Sequence, residues 1–185
     1  NVDNKWLKHG VEISKCAVDK ASLYGDIYHG NLHEANYPEN KFDLVLLFHV
    51  IEHLESPVEV VKEIRRVLKN DGWLIVGTPD FDCGCARRFG ENFRLLHDKT
   101  HISLFSDKSL DRLLEDFAFD IKHSEYEFYD TKYFNKENLL SLFNSDAVSP
   151  PCYGNIVTKY CRKMDKSSLL DNVEHIKNIA SSLKY

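Results

Sequence analysis

The chain has 185 residues, of which 43% are hydrophobic and 29% charged, as expected for a globular domain and not for a disordered chain. Its 24 Lys and Arg against 29 Asp and Glu give a formal net charge of −5. That balance provides no general attraction to nucleic acid or to an anionic membrane. We therefore expect a small-molecule partner and neither nucleic acid nor membrane as a binding surface.

The longest apolar run, Leu44 to Phe48, falls far short of the roughly 20 residues that span a bilayer, and no signal-peptide core is present. The five cysteines are an odd number and contain no C-x-x-C pair, so they predict neither a disulfide framework nor a tetrahedral zinc site. We expect a cytoplasmic protein and assign it no metal.

The first elements are predicted to be a strand, a helix and a second strand. Residues 6–13 rise into a short strand that ends at an acid, Glu12, and Ser14 is placed to cap the following helix. Residues 26–29 form the next strand, and the Gly, Asn and Pro content of residues 30–40 predicts a loop.

A βαβ unit follows. Residues 42–48 are almost wholly apolar, which predicts a strand covered by helices on both faces. Ser56, Pro57 and Glu59 predict a capping box at the start of a helix that Gly72 ends. The apolar stripe of that helix comprises Val60, Ile64, Val67 and Leu68, and the next strand comprises residues 73–77.

Residues 80–104 lack a clean period and predict a loop over a site. Ser106 then caps a helix, with Phe105 stapled onto Leu110. The remaining predicted elements are a strand at 119–128, a helix at 131–145, a strand at 153–161 and a closing helix at 165–183.

This alternation predicts an α/β fold with a doubly wound, mostly parallel sheet and an antiparallel edge strand. Ligands bind such sheets beyond the carboxyl ends of the strands. Those ends are predicted at Glu12, at residues 30–32, at residues 48–53 and after Thr78.

Six motifs stand in order: Val11-Glu-Ile-Ser, His29-Gly-Asn-Leu, Phe42-Asp-Leu-Val, His49-Val-Ile-Glu-His-Leu, Arg66-Val-Leu-Lys-Asn-Asp-Gly and Gly77-Thr-Pro. Together they resemble the class I S-adenosylmethionine-dependent methyltransferases, and most closely the small-molecule type around the ubiquinone-biosynthesis O-methyltransferases. The resemblance implies a Rossmann-like fold, S-adenosylmethionine as methyl donor and in-line transfer to a small molecule. It implies one domain over 1–185, with a cofactor half at 6–79, a substrate loop and C-terminal strands at 80–163, and the closing helix at 165–183.

The resemblance also implies site residues. Glu12 would accept hydrogen bonds from both ribose hydroxyls, and Asn31 replaces an acid that usually binds the adenine amino group. The implied cofactor contacts are Glu12, Ile13, Asn31, Leu32, Phe48 and His49. His97 and His101 are the catalytic candidates, as substrate-orienting or general-base groups, because an acceptor oxygen or nitrogen must lose a proton. The alternative is that both histidines pin the loop.

One part of the family pattern is missing. Members carry a first strand and a glycine-rich G-x-G-x-G turn before the acid-ending strand, whereas this chain has only Gly10 there. We expect two unpaired strand edges, at the strands ending in Glu12 and Phe48. The chain is part of a longer protein, its gene is truncated, or the two strands close onto each other. Either of the first two predicts weak cofactor binding by residues 1–185 alone.

Several alternatives remain open. His49, Glu52 and His53 match the H-x-x-E-H motif of inverted zinc peptidases, or they hold a divalent ion, or Glu52 and His53 form a hydrogen-bonded pair that fixes the turn. An acid such as Glu12 also marks NAD-binding domains. A non-catalytic, methyltransferase-like binding module is the main functional alternative, and a homodimer is left open.

Overall fold

The computed structural model describes residues 5–127 and 154–165, apart from the side chains of Arg94 and His97. The helix predicted at 131–145 lies outside these residues, as does all but the first residue of the helix predicted at 165–183. In the described residues, no helix is long and apolar enough to cross a bilayer.

Six strands and four α-helices are described. The strands are β1 (His9–Glu12), β2 (Asp26–His29), β3 (Phe42–Phe48), β4 (Leu68–Pro79), β5 (Phe119–Glu127) and β6 (Ile156–Lys163). The helices are α1 (Lys15–Ala21), α2 (Pro57–Val67), α3 (Gly84–Phe89) and α4 (Asp107–Asp116). Short 3-10 helices cover Ile51–His53, Gly90–Asn92 and Arg94–His97.

The strands form two sheets. β1 and β2 pair in parallel, and a four-stranded sheet has the order β3-β4-β6-β5. β3 and β4 are parallel, and β6 runs antiparallel to both of its neighbours. The predicted α/β class is therefore confirmed, with the difference that the antiparallel strand lies inside the sheet. Among the described residues β1 does not pair with β3, so the two strands have not closed onto each other.

The main core lies on the four-stranded sheet. Its fully buried members come from β4, β5, β6, α2, α4 and the turn after β3. They include Ile51, Ile64, Leu74, Leu110, Leu114, Phe119 and Val157. Between residues 5 and 41, by contrast, only Val18 is buried.

The two predicted helix starts differ. Ser106 forms a complete capping box with Ser109, and Phe105 and Leu110 share the main core as expected. At α2, Pro57 is the first helical residue, but the predicted capping box is wrong because Ser56 makes no side-chain cap bond. Its backbone, with φ −132° and ψ 69°, lies outside the extended region that caps require.

α2 also ends earlier than predicted, at Val67 and not at Gly72. Leu68 is already extended and pairs with Phe42, so the chain enters β4 directly. Gly72 lies in an irregular part of β4, where an added Cβ would be 2.9 Å from the Lys69 carbonyl oxygen. Glycine is therefore needed here for close backbone approach and not as a helix stop.

Two further expectations need correction. β3 is not covered on both faces, because Leu46 is 53% exposed and Phe48 46% exposed, whereas Leu47 between them is buried. The segment after β4 is not an irregular loop throughout, since α3 and two 3-10 helices form within residues 80–104. Cys83 caps α3, with its Sγ accepting from the Ala86 N–H.

Candidate active site

The candidate site lies where β3 and β4 end. His49 follows β3 with φ of 51°, an uncommon conformation for a residue other than glycine, and its N–H donates to the Gly77 carbonyl at 2.9 Å. The chain then turns through the 3-10 helix Ile51–His53 before α2 begins at Pro57. This tight exit places three titratable side chains within five residues at the mouth of the sheet.

Glu52 is the centre of the site and is 0% exposed. Its Oε2 accepts from the Thr78 hydroxyl at 3.0 Å, and its backbone carbonyl accepts from the N–H groups of Ile102 and Ser103, both at 2.9 Å. Its Oε1 accepts no hydrogen bond from any described residue. A buried carboxylate with one unsatisfied oxygen is costly unless a cation or a donor compensates it.

Two histidines face Glu52 in a fixed tautomer. His53 Nδ1 lies 2.9 Å from the Thr100 carbonyl oxygen, and His101 Nδ1 lies 2.8 Å from the Leu95 carbonyl oxygen. A carbonyl oxygen only accepts, so each Nδ1 must carry the proton. In the neutral rings, both Nε2 atoms therefore present lone pairs.

These acceptors converge. His53 Nε2 lies 4.0 Å from Glu52 Oε1, and one ligand atom each from Glu52, His53 and His101 lies within 4.8 Å of the other two. The ring centroids of His53 and His101 are 4.9 Å apart. His49 Nδ1 approaches the same carboxylate oxygen to 3.4 Å. The arrangement can take a proton, or it can hold a positive charge.

The wall behind His101 is aromatic. The Phe81 ring meets His101 edge-on at 6.0 Å and Phe93 at 6.2 Å. Phe93 is buried with Cys83 and Cys85 in a second small core, which places it in packing and not in an open pocket. This packing holds His101, whose side chain is 8% exposed, against the turn that carries Glu52.

Asp80 adds a buried carboxyl group just after β4. Burial raises the pKa of Asp80, although the Asp82 N–H bonded to its Oδ1 at 2.9 Å opposes that shift. The Asp80 N–H donates to the Asn155 carbonyl and so fixes the start of the loop.

The other side of the site, at the ends of β1 and β2, is exposed. Glu12 Oε1 accepts from the Ser14 N–H at 2.7 Å, which leaves Oε2 for a ligand hydroxyl. Asn31 Oδ1 accepts from the Glu34 N–H at 3.0 Å, and Glu34 returns the bond to the Asn31 N–H. Ile13 is 77% exposed. The roles of Glu12, Ile13 and Asn31 in binding the ribose and adenine stay predictions.

The other predicted site residues are placed as follows. Leu32 packs against the main core, and Phe48 is the exposed last residue of β3. His101 joins the Glu52 cluster, whereas His97 ends a 3-10 helix and its side chain lies outside the described part. Sequence reasoning placed a strand end of the site after Thr78 but named neither Thr78 nor Asp80 as a site residue. Their position directly after a buried strand was the available signal.

The geometry also decides between interpretations of the H-x-x-E-H motif. A peptidase needs His49 and His53 on one α-helix, whereas here a left-handed residue and a 3-10 turn separate β3 from α2. Glu52 and His53 are not a hydrogen-bonded pair either, because they are 4.0 Å apart and bond to Thr78 and Thr100 instead.

A family model described as "Methyltransferase domain" matches residues 6–124. The chain belongs to that family. The match confirms the resemblance to class I S-adenosylmethionine-dependent methyltransferases and decides against the NAD-binding alternative for this methyltransferase domain. The ubiquinone-biosynthesis type stays a prediction.

Solved structures show the same fold. A SAM-dependent methyltransferase of Thermotoga maritima has 22% identity and a TM-score of 0.62, over 83% of this chain and 72% of that one. A Haloferax volcanii complex of the Trm112 methyltransferase activator and a putative methyltransferase gives 13% identity and a TM-score of 0.63, over 86% and 72% of the two chains.

Two curated relatives show how far the similarity reaches. A probable S-adenosylmethionine-dependent methyltransferase of Mycolicibacterium smegmatis is 46% identical over 55 residues, 30% of this chain and 21% of that protein. An uncharacterized protein of Methanocaldococcus jannaschii is 28% identical over 136 residues, 74% of this chain and 51% of that protein. The chain thus spans at most about half of either relative.

Proposed function

We propose that the protein transfers a methyl group from S-adenosylmethionine to a small-molecule acceptor. The observation that carries this proposal is the polar cluster of Glu52, His53 and His101 at the carboxyl end of β3, in a chain of the methyltransferase-domain family. Binding sites in doubly wound sheets occupy this edge. A cytoplasmic location, a homodimer and the single-domain organisation remain predictions.

One group of residues suits the methyl donor and another suits the acceptor, and the donor group comes first in the chain. Glu12 offers a carboxylate oxygen to vicinal hydroxyls, and the exposed Ile13 and Phe48 offer apolar surface. S-adenosylmethionine, when bound, supplies a methyl group on a sulfonium sulfur, and the neutral thioether S-adenosylhomocysteine leaves as the methyl group is transferred. The protein's task is then to orient the acceptor for in-line attack.

The attacking oxygen or nitrogen of the methyl acceptor must lose its proton to a general base. His101 Nε2 is suited to receive it, because the Leu95 carbonyl holds the Nδ1 proton and the aromatic wall fixes the ring. The same geometry suits His53, whose ring is more exposed. His97 stays a catalytic candidate on the sequence alone.

Titration calorimetry with S-adenosylhomocysteine tests the donor site, using the product of the native gene. We expect Glu12→Gln to weaken binding about tenfold, since the amide offers its ligand one acceptor and no charge. Glu59→Gln, on the exposed side of α2, is the matched control and should bind as the parent does. Equal affinity of the parent and Glu12→Gln would remove Glu12 from the site.

We expect residues 1–185 by themselves to bind more weakly than micromolar, because β1 and β3 share no neighbouring strand in the described residues. Micromolar affinity of this segment would overturn that expectation. Methyl transfer from labelled S-adenosylmethionine to a panel of hydroxyl and amine acceptors then tests the reaction. No transfer together with intact donor binding would favour the non-catalytic module.

A further inference from the structure

We propose that Glu52, His53 and His101 bind one first-row divalent transition-metal ion of the Zn²⁺ type. Two imidazole nitrogens and a carboxylate oxygen are the ligand set with which proteins hold such ions while leaving a coordination position open. All three residues come to one point from the turn after β3 and the segment before α4.

The first argument is charge. Glu52 is buried and its Oε1 accepts no hydrogen bond from the described residues, so a carboxyl oxygen without a donor is directed into the cluster. The nearest nitrogen outside the proposed ligand set, His49 Nδ1, is 3.4 Å away, which is long for a hydrogen bond to a carboxylate.

The second argument is the tautomer of each histidine. Because Thr100 and Leu95 carbonyls engage both Nδ1 atoms, the Nε2 atoms of His53 and His101 carry lone pairs in the neutral rings. Histidines that ligate metals usually donate their other N–H to a backbone carbonyl or carboxylate in this way. Three electron-pair donors thus face one another, an arrangement that a cation stabilises.

The third argument is spacing. Ligands at ~2.1 Å from one ion are at most ~4.2 Å apart, and Glu52 Oε1 and His53 Nε2 already satisfy this limit at 4.0 Å. The whole set spans up to 4.8 Å, so binding requires a contraction of about half an ångström. The Thr78 hydroxyl on Glu52 Oε2 orients the carboxylate as an outer partner.

An ion with an open coordination position would bind the hydroxyl oxygen of the methyl acceptor and lower the pKa of that hydroxyl. The ion, and not a histidine base, would then activate the acceptor. This role depends on the proposed methyl transfer. The binding of the ion does not.

The test uses protein without an affinity tag, stripped with a chelator and titrated with Zn²⁺ by calorimetry. We expect one ion per chain. Loss of a partner outside the ligand set typically weakens metal binding tenfold to a hundredfold, so His53→Gln and His101→Gln, which each remove a ligand, should weaken it at least as much. His123→Gln, which removes an exposed histidine on β5, is the matched control and should keep the parent's affinity.

Titration with Co²⁺ distinguishes this site from cysteine. We expect ligand-field absorption without a thiolate charge-transfer band, and the absorption should disappear in both histidine variants. Circular dichroism of the stripped proteins checks that the variants fold, and Glu52→Gln adds a third variant that retains the Thr78 bond. No saturable ion binding by the parent, or unchanged binding by both histidine variants, would overturn the proposal. Ion binding by an inactive protein would instead overturn the proposed function alone.

Discussion

The two sheets differ in what stabilises them. The four-stranded sheet carries a continuous apolar core, and its strands are joined by long ladders of seven or eight residue pairs at β6. The two-stranded sheet has only four pairs, and Val18 is the one buried residue between residues 5 and 41. Two strands with so little apolar cover have little stability of their own.

The two halves of the site inherit this difference. Glu52 is held by a buried hydrogen bond and His101 by a part-buried bond and packing, whereas Glu12 is the half-buried last residue of β1 and Asn31 is exposed. The two sheets meet at their starting ends, where His9, Tyr37 and Phe42 form an aromatic cluster with centroids 5.0–5.9 Å apart, and Leu32 after β2 packs against the main core. We infer that the half of the site around Glu52 is preformed, whereas the half around Glu12 depends on a sheet with little apolar cover of its own.

The largest effect on stability is expected at Lys159 of β6, in the four-stranded sheet. This lysine is 1% exposed, and its Nζ lies 2.5 Å from Asp107 and 2.7 Å from Asp111. Lys159→Met should lower the free energy of unfolding by about 3–5 kcal/mol in urea denaturation, because it leaves carboxylates uncompensated. Lys122→Met, at an exposed ion pair with Asp120, should cost less than about 1 kcal/mol.

Lys159 also predicts a pH dependence. Burial alone would lower the pKa of Lys159, but its bonds to Asp107 and Asp111 outweigh burial and raise the pKa above 10.5. A raised folded pKa gives stability that is complete below 10.5 and is lost as the pH rises through the folded value. The gap in stability between the parent and Lys159→Met should therefore narrow in alkaline buffer, and a gap that widens there would contradict this assignment.

The next prediction makes one chemical change in both sheets. Val157 in β6 is 0% exposed and Val11 in β1 is 37% exposed. Val157→Ala should cost about 2–3 kcal/mol, from lost transfer energy and the cavity left behind, and Val11→Ala less than about 1 kcal/mol. Equal costs in urea denaturation would mean that the two sheets unfold as one equally packed unit.

The same contrast explains which sequence predictions were accurate. β3 was predicted with its observed bounds, since a run of apolar residues between turn residues is a local signal. The end of α2 was misplaced because the pairing of Leu68 with Phe42 is a tertiary contact that outweighs the glycine four residues later. Ser56 was assigned a cap on residue type alone, whereas its backbone angles depend on the preceding turn.

At the site, sequence reasoning found the edge of the sheet but not the cluster. His53 and His101 are 48 residues apart, and tertiary hydrogen bonds such as those from the Ile102 and Ser103 N–H groups to the Glu52 carbonyl bring the second segment back to the first. Glu52 was considered as a peptidase base, as a ligand of a divalent ion with His49 and His53, or as a turn partner, and the sequence did not show that it is buried. Thr78 was noted only for ending a strand, although its hydroxyl fixes the central carboxylate.

The smallest perturbation changes no residue and compares two native thiols. Burial raises the pKa of the Cys161 thiol to about 12, whereas Cys16 of α1 is exposed. At pH 8 only about 10⁻⁴ of a thiol with such a pKa is ionised, so Cys161 should react with iodoacetamide only through opening of the sheet. Cys16 should be labelled within the first time points of a peptide-resolved mass-spectrometric experiment. If Cys161 reacts as fast as Cys16 in the absence of denaturant, the four-stranded sheet opens readily. The half of the site around Glu52 would then not be preformed.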